Sequence, residues 1–280
     1  MIGLVILLIV FLLVAYPLYF IIIASISDPS KVSLGEVWLI PKDITLSGYQ
    51  LIFENEQIWT GYKNTIFYTV VGTFFNLLFT LPAAYALSRK DLIGRNLFMY
   101  IIVFTMFFSG GLIPTYLLVQ DLGLYNTFWA MVLPTAVSAW NLIIARTFFQ
   151  TNIPKELEEA AEMDGCSDMQ FFIRIVLPLS KAIIAVMGLF YAVSHWNEFF
   201  NALIYLKDQE RFPLQLILRD ILIQTQFEGQ SSGIGAEQAA EQANLIRYGV
   251  IIVASVPVLI LYPFIQKYFV KGVMLGAIKD

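Results

Sequence analysis

The stretch Pro154–Pro178, PKELEEAAEMDGCSDMQFFIRIVLP, decides how this chain is read. It is polar and acidic, in a chain that is otherwise mostly apolar. Pro154 suits a first helical position, with Thr151 or Asn152 as candidate cap. Gly165 suits a left-handed helix stop. Ser167 followed by Gln170 matches a capping box, and the helix it starts is expected to end before Pro178. The first of these two helices carries Glu156, Glu158, Glu159, Glu162 and Asp164 against Lys155. Glu158 and Glu162 share one face, at a cost of roughly a few tenths of a kcal/mol. Ala160 and Ala161 leave a flat side where another backbone can approach closely. Such a helix suits a basic socket on another protein; from charge alone, a solvated loop helix is the alternative.

Outward from this stretch the chain turns apolar. Hydrophobic residues make up 58% and charged residues 14%, against about 25% charged in a soluble domain. Runs long enough to span about 30 Å at about 1.5 Å per residue fall at about 2–26, 62–87, 97–119, 128–150, 181–206 and 246–270. The expected fold is therefore an all-α integral membrane protein with six transmembrane helices. The opening run is too long for a cleaved signal and lacks a small-residue cleavage site. Ten of the 17 basic residues fall on one side of these spans, among them Arg89, Lys90, Arg95, Lys155 and Lys267. That side is assigned to the cytoplasm, together with both termini and the 154–178 loop.

The chain divides into 1–61, a first span with its outer loop, and 62–280, a five-helix core. The core carries a cytoplasmic loop at 151–180 and an outer loop at 207–245. Trp38, Pro41 and Trp59 fit an interfacial belt. Leu214, Ile217, Leu218 and Ile221 recur at helical spacing, which predicts an amphipathic helix on the outer surface.

No glycine-rich loop ends in Gly-Lys-Ser or Gly-Lys-Thr, and no GxSxG, HExxH or CxxC motif occurs. The chain cannot hydrolyse ATP by the usual apparatus, and uphill work would need a partner. One cysteine, Cys166, and one histidine, His195, exclude an internal disulfide and a multi-histidine metal site. Polar residues inside apolar runs are then the informative ones, because they are costly in lipid. Trp196, Asn197, Glu198 and Asn201 cluster in the fifth run, Asn201 on the same helical face as Asn197. They are candidates to line a path for a solute, since asparagines and indoles suit sugar hydroxyls and ring faces. A buried Glu198 paired to a neighbouring helix, and a satisfied core His195, are the alternatives. In the third run Gly110, Gly111 and Pro114 should loosen the backbone near Tyr116, as a gating kink or a packing notch. Trp140 and Asn141 in the fourth run are further path candidates.

Glu159-Ala160-Ala161, then Gly165, then Ile175 and Leu177-Pro178, reproduce the EAA---G---------I-LP signature at full spacing. On this signature the chain resembles the membrane subunits of binding-protein-dependent ABC importers. YALSRKDLIGR (85–95), LGLYNTFWAMVLP (122–134), HWNEFFNAL (195–203) and YFVKGVMLGAIKD (268–280) extend the resemblance over about 60–280, to the maltose-transporter MalG type. GGLIPTYLLVQ with FPLQLILRDIL looks like the LplC/YtcP branch, found in Gram-positive bacteria and linked to complex or uronic-acid-containing oligosaccharides.

The resemblance implies the type I ABC importer permease fold. It implies a coupling loop in which Glu159, Ala160, Ala161, Asp164, Gly165, Ile175, Leu177 and Pro178 dock on an ATPase subunit. It implies as partners a second homologous permease, two copies of that ATPase, an extracellular solute-binding protein (a lipoprotein in Gram-positive relatives) and a sugar in a bacterial plasma membrane, with no nucleic acid. ATP and magnesium would be used by the ATPase, and no cofactor by this chain. The residues leave room for a peptide, polyamine or inorganic-anion cargo, and for an ion-coupled carrier using Glu198.

Overall fold

The computed structural model describes residues 2–230 and 246–260, together with Pro263. Every regular element among them is helical. The opening run forms α1 (Ile2–Ser25). The loop expected at 27–61 holds two short helices, α2 (Pro29–Ser33), capped by the Asp28 carboxylate, and α3 (Ser47–Glu54). The second span, α4 (Glu56–Ser88), starts earlier than the hydropathy suggested and runs 33 residues. At about 1.5 Å per residue it is longer than a bilayer is thick.

The next three spans are broken rather than continuous. The third is α5 (Arg95–Phe107) and α6 (Leu112–Asp121), bent by 115°. The loosening expected near Tyr116 is a full break at 108–111, where Gly111 takes φ +89°, a conformation that favours glycine. The fourth is α7 (Trp129–Val132), a 3₁₀ turn at Leu133–Thr135 and α8 (Ala139–Asn152), bent by 54°. Pro134 interrupts the backbone ladder there, and Ser138 caps the new start.

The 154–178 stretch forms α9 (Lys155–Met163) and α10 (Asp168–Phe171). A π turn at Phe172–Val176 then leads into α11 (Leu177–Leu179). The helical course thus passes through Pro178, against the expectation that it stops before it. The widened π turn relaxes the ladder one turn ahead of the proline, where an α-helix would clash. The course ends instead in an 82° bend at Ser180, before α12 (Lys181–Trp196). The fifth span is interrupted again at 197–199 before α13 (Phe200–Tyr205). The outer helix is α14 (Leu214–Gln230), and α15 (Ile246–Ile260) is the described part of the last span. The tail quoted above (268–280) lies outside the described residues. Among the described residues two helices, Gly3–Ser25 and Glu56–Ser88, are each long and apolar enough to cross a membrane alone.

The described residues fall into two compact units. One comprises residues up to Lys63 with Phe212–Ile260, the other Asn64–Arg211. In the first, α14 packs on the start of α4, where Gly61 meets Leu214 and Ile217 so closely that a Cβ would lie 2.7 Å from Ile217. Leu214, Leu216, Ile217 and Leu218 are all buried, so the helix is covered on more than one face. Tyr62 donates to the Val253 carbonyl at 2.7 Å, tying α15 to α4. In the second unit, Ala84 and Tyr85 of α4, Ala145 and Phe149 of α8, Phe172 and Met187 form one buried cluster. Ala161 of α9 belongs to it, so the 154–178 loop is seated on the core.

Candidate functional site

The 154–178 loop is shaped locally. Pro154, with φ −65° and ψ 142°, is the N-cap of α9 and not its first helical residue. Thr151 and Asn152 do not cap it, because they end α8 and donate back to the Thr147 and Phe148 carbonyls, each at 3.0 Å. Gly165 provides the left-handed stop at φ +76°. Its N–H donates to Glu162 at 3.0 Å and that of Cys166 to Ala161 at 2.9 Å, the paired bonds of a Schellman ending. Ser167 and Gln170 form the expected capping box.

One residue outside the stretch holds it. Arg89, just past the end of α4, has a side chain only 12% exposed. Its guanidinium reaches Glu158 at 2.7 Å and Asp91 at 3.0 Å. Asp168 lies at 3.6 Å, Glu162 at 3.9 Å and the Tyr85 hydroxyl at 3.2 Å. The hydrogen bond from Arg89 holds the Asp91 carboxyl below its ordinary value. Burial pushes Glu158 up despite Arg89, with Asp91, Glu162 and Asp168 adding to the rise. The hydrogen bond to Asp91, with further support from Tyr85 and Glu158, raises the Arg89 pKa above its ordinary value.

Part of the acidity expected to face a partner is thus turned inside the chain, Glu158 closely and Glu162 more loosely. Ala161 points into the core and not outward, so the flat side is left to Ala160. Glu159 points outward, paired with Lys155 at 2.8 Å. Asp164, Gly165 and Pro178 are also exposed, while Ile175 and Leu177 are half-buried. Exposed Leu157, Met163, Met169 and Ile173 add an apolar surface that charge counting had passed over.

The path candidates separate into three places. Trp140 and Asn141 line a cavity of about 770 Å³ at the break between α7 and α8, with Ser138, Phe190, Ser194 and His195. Trp140 is 61% exposed there. Trp196 is buried. Tyr116 stacks on Tyr205 at 6.2 Å and meets Tyr125 edge-on at 6.1 Å, in a separate cluster. Asn197 and Asn201 do not share a helical face, because α12 ends at Trp196 and Asn197 donates back to the Val193 carbonyl at 2.9 Å. Among the described residues Glu198 is neither paired to a neighbouring helix nor a lining residue of this cavity. Its two oxygens accept from the Asn201 backbone N–H and side-chain amide, each at 3.0 Å, so it caps α13 across the break.

His195 is a satisfied core histidine. Nε2 lies 2.7 Å from Oδ1 of Asn76, whose amide donates to the Thr135 and Ala136 carbonyls at 2.8 and 2.9 Å. Gly72, one turn earlier on α4, leaves room for the ring, since a Cβ there would lie 2.5 Å from Nε2. Tyr191 meets Thr80 at 2.7 Å and accepts from the Ser138 N–H at 3.1 Å. One face of α4 therefore takes up backbone groups freed by the break in the fourth span. Asn126, in a left-handed conformation at φ 56°, plays a similar part for residues 205–211. It bonds Tyr205, Lys207 and Asp208, and its carbonyl accepts from Arg211. Sequence reasoning missed Arg89, Asn76 and Asn126. Asn76 interrupts an apolar run, which was a legible signal, whereas nothing local marks the other two.

Residues 58–275 match the family described as binding-protein-dependent transport system inner membrane component. The chain is 45% identical over 269 residues to the polygalacturonan/rhamnogalacturonan transport system permease protein YtcP of Bacillus subtilis (strain 168), covering 96% of this chain and 93% of that protein. It is 43% identical to Protein LplC of the same organism, covering 94% and 88%. A crystal structure of a bacterial ABC transporter involved in the import of the acidic polysaccharide alginate contains a chain that superposes with TM-score 0.85 at 36% identity, covering 96% of this chain and 95% of that one. The chain belongs to the family of inner membrane components of binding-protein-dependent transport systems.

Proposed function

We propose that this chain is the membrane subunit of an ATP-driven importer for an oligosaccharide, with uronic-acid-containing chains the leading substrate class. One observation carries the reading. The near full-length similarity at 45% identity is to a permease named for polygalacturonan and rhamnogalacturonan, and a solved relative comes from an importer of an acidic polysaccharide. The cavity at the break of the fourth span supports a sugar as cargo. It offers Trp140 and Phe190 as ring faces and Asn141, Ser138 and Ser194 for hydroxyls, with no lysine or arginine among its described lining residues. Stacking and hydroxyl recognition are therefore this subunit's share, and a carboxylate would need its cation elsewhere in the complex.

In this reading six spans cross the membrane with both termini in the cytoplasm. The 154–178 loop docks on an ATPase through Glu159, Ala160 and the exposed apolar residues beside them. A second permease completes the path, two ATPase subunits hydrolyse ATP with magnesium, and an extracellular solute-binding protein delivers the sugar in a Gram-positive cell. Only contacts that differ between the inward- and outward-open states can link hydrolysis to transport.

The test is affinity purification from native membranes of the wild type beside Glu159→Lys. The wild type should bring down an ATPase and a second polytopic protein, and the variant should lose the ATPase. The binding protein that accompanies the complex should bind oligogalacturonides or related acidic oligosaccharides. A wild type that brings down no ATPase would sink the reading.

A further inference from the structure

The Arg89 cluster does more than neutralise charge. One guanidinium at the cytoplasmic end of α4 gathers both halves of the loop, Glu158 and Glu162 from α9 and Asp168 from the start of α10. Asp91 grips its Nε and Nη2 through both oxygens at 3.0 and 3.1 Å, which fixes the fork, and Tyr85 of α4 holds Nη1 at 3.2 Å. A lysine would supply the charge but not a planar fork able to hold separate carboxylates at fixed angles.

At the other end of the same stretch of α4, Asn76 holds the Thr135 and Ala136 carbonyls and the His195 ring. Asn76 and Arg89 are about 20 Å apart along the axis at about 1.5 Å per residue. The helix stays continuous between them, through Pro82. Asn76 bonds the break beside the 770 Å³ cavity, and His195 lines that cavity.

We propose that Arg89 is a positioning residue that locks the docking loop to α4, so that α4 carries loop movement to the broken fourth span and its cavity. This rests on the importer reading above and adds the path by which the two ends communicate. A push on α9 or α10 is met by α4 through the largely buried Arg89 side chain, which pairs closely with half-buried Glu158 and more loosely with exposed Glu162 and Asp168, and α4 cannot shift without dragging Asn76 and the backbone groups it holds.

The experiment uses the whole importer in proteoliposomes with its binding protein. Sugar uptake, ATP hydrolysis and ATPase co-purification are measured for wild type, Arg89→Ala and Arg89→Lys. In Arg89→Ala the ATPase should still co-purify, uptake should fall roughly 5–150-fold, the usual span of a coupling interaction, and ATP hydrolysed per sugar should rise in step. Arg89→Lys should fall between, because it keeps the charge without the fork. An unchanged ATP-to-sugar ratio in Arg89→Ala would overturn the proposal, whatever happens to the absolute rates. So would an Arg89→Ala chain that loses the ATPase while Arg89→Lys keeps the wild-type ratio, since Arg89 would then merely fold the loop. A wild type that brings down no ATPase refutes the importer reading itself and is told apart by that result.

Discussion

His195 Nε2 lies 2.7 Å from Asn76 Oδ1, and the same asparagine holds the two carbonyls freed where the fourth span breaks. A membrane helix cannot leave backbone groups unpaired in lipid, so a break survives only where a neighbour satisfies it. The lone histidine is thereby spent on architecture, as the outer member of a clamp that keeps a bend of 54° beside the cavity.

Replacing Asn76 by leucine should orphan these carbonyls and the histidine at once. The cost is roughly 1–3 kcal/mol for each buried group left unpaired. Thermal unfolding of the purified complex should show it as a clear drop in midpoint, and an Asn76→Leu chain as stable as wild type would contradict the clamp.

Gly72→Ala places a Cβ 2.5 Å from His195 Nε2 and 2.6 Å from Cε1. The ring cannot retreat without releasing Asn76, so overpacking should cost about 1–3 kcal/mol. In a Gly72→Ala, His195→Ala pair the clash is gone. A double-mutant cycle on unfolding should therefore give a large non-additive term, and strict additivity would count against the contact.

Gly165 holds the left-handed stop at φ +76°. Gly165→Ala should cost roughly 1–2 kcal/mol, while Gly165→Pro, with its fixed negative φ, should unseat the turn between α9 and α10. Membrane insertion, followed by blotting, should survive in both variants, and sugar uptake should be lost in the proline variant. Normal uptake by Gly165→Pro would remove the loop from the docking mechanism.

Glu198 caps α13 through Asn201. Glu198→Gln keeps one acceptor of the pair and should leave uptake within about threefold, a loss of at most about 0.7 kcal/mol by the tenfold-per-1.4 rule. Uptake should also be indifferent to collapse of the proton gradient at constant ATP. Abolished transport in the glutamine variant, with the protein intact, would revive a proton-coupled role.

Trp140, exposed in the cavity, and Trp196, buried at the end of α12, should respond differently to alanine. Trp140→Ala should raise the KM for sugar uptake roughly 2–12-fold, as about 0.5–1.5 kcal/mol of ring stacking implies. Trp196→Ala should instead destabilise the chain by about 3–5 kcal/mol. Equal effects of the two on KM would show that exposure does not mark the path.

The amino-acid sequence by itself determined what depends on neighbours along the chain. Apolar runs gave the membrane helices, the Gly165 stop followed from a residue without a Cβ, and the Ser167–Gln170 box formed because its partners are three residues apart. The signature pointed to the transport family before any contact was known. Local signals erred where geometry is cooperative: Pro178 did not end its helix, because a π turn ahead of it absorbed the strain. The tertiary structure alone decided which polar groups satisfy one another. Arg89 meets Glu158 and Asp168, and Asn76 meets His195, because packed helices bring together residues far apart in the chain. Burial in an apolar setting requires every such group to find a partner, but only the packing of α4 against α8, α9 and α12 says which one.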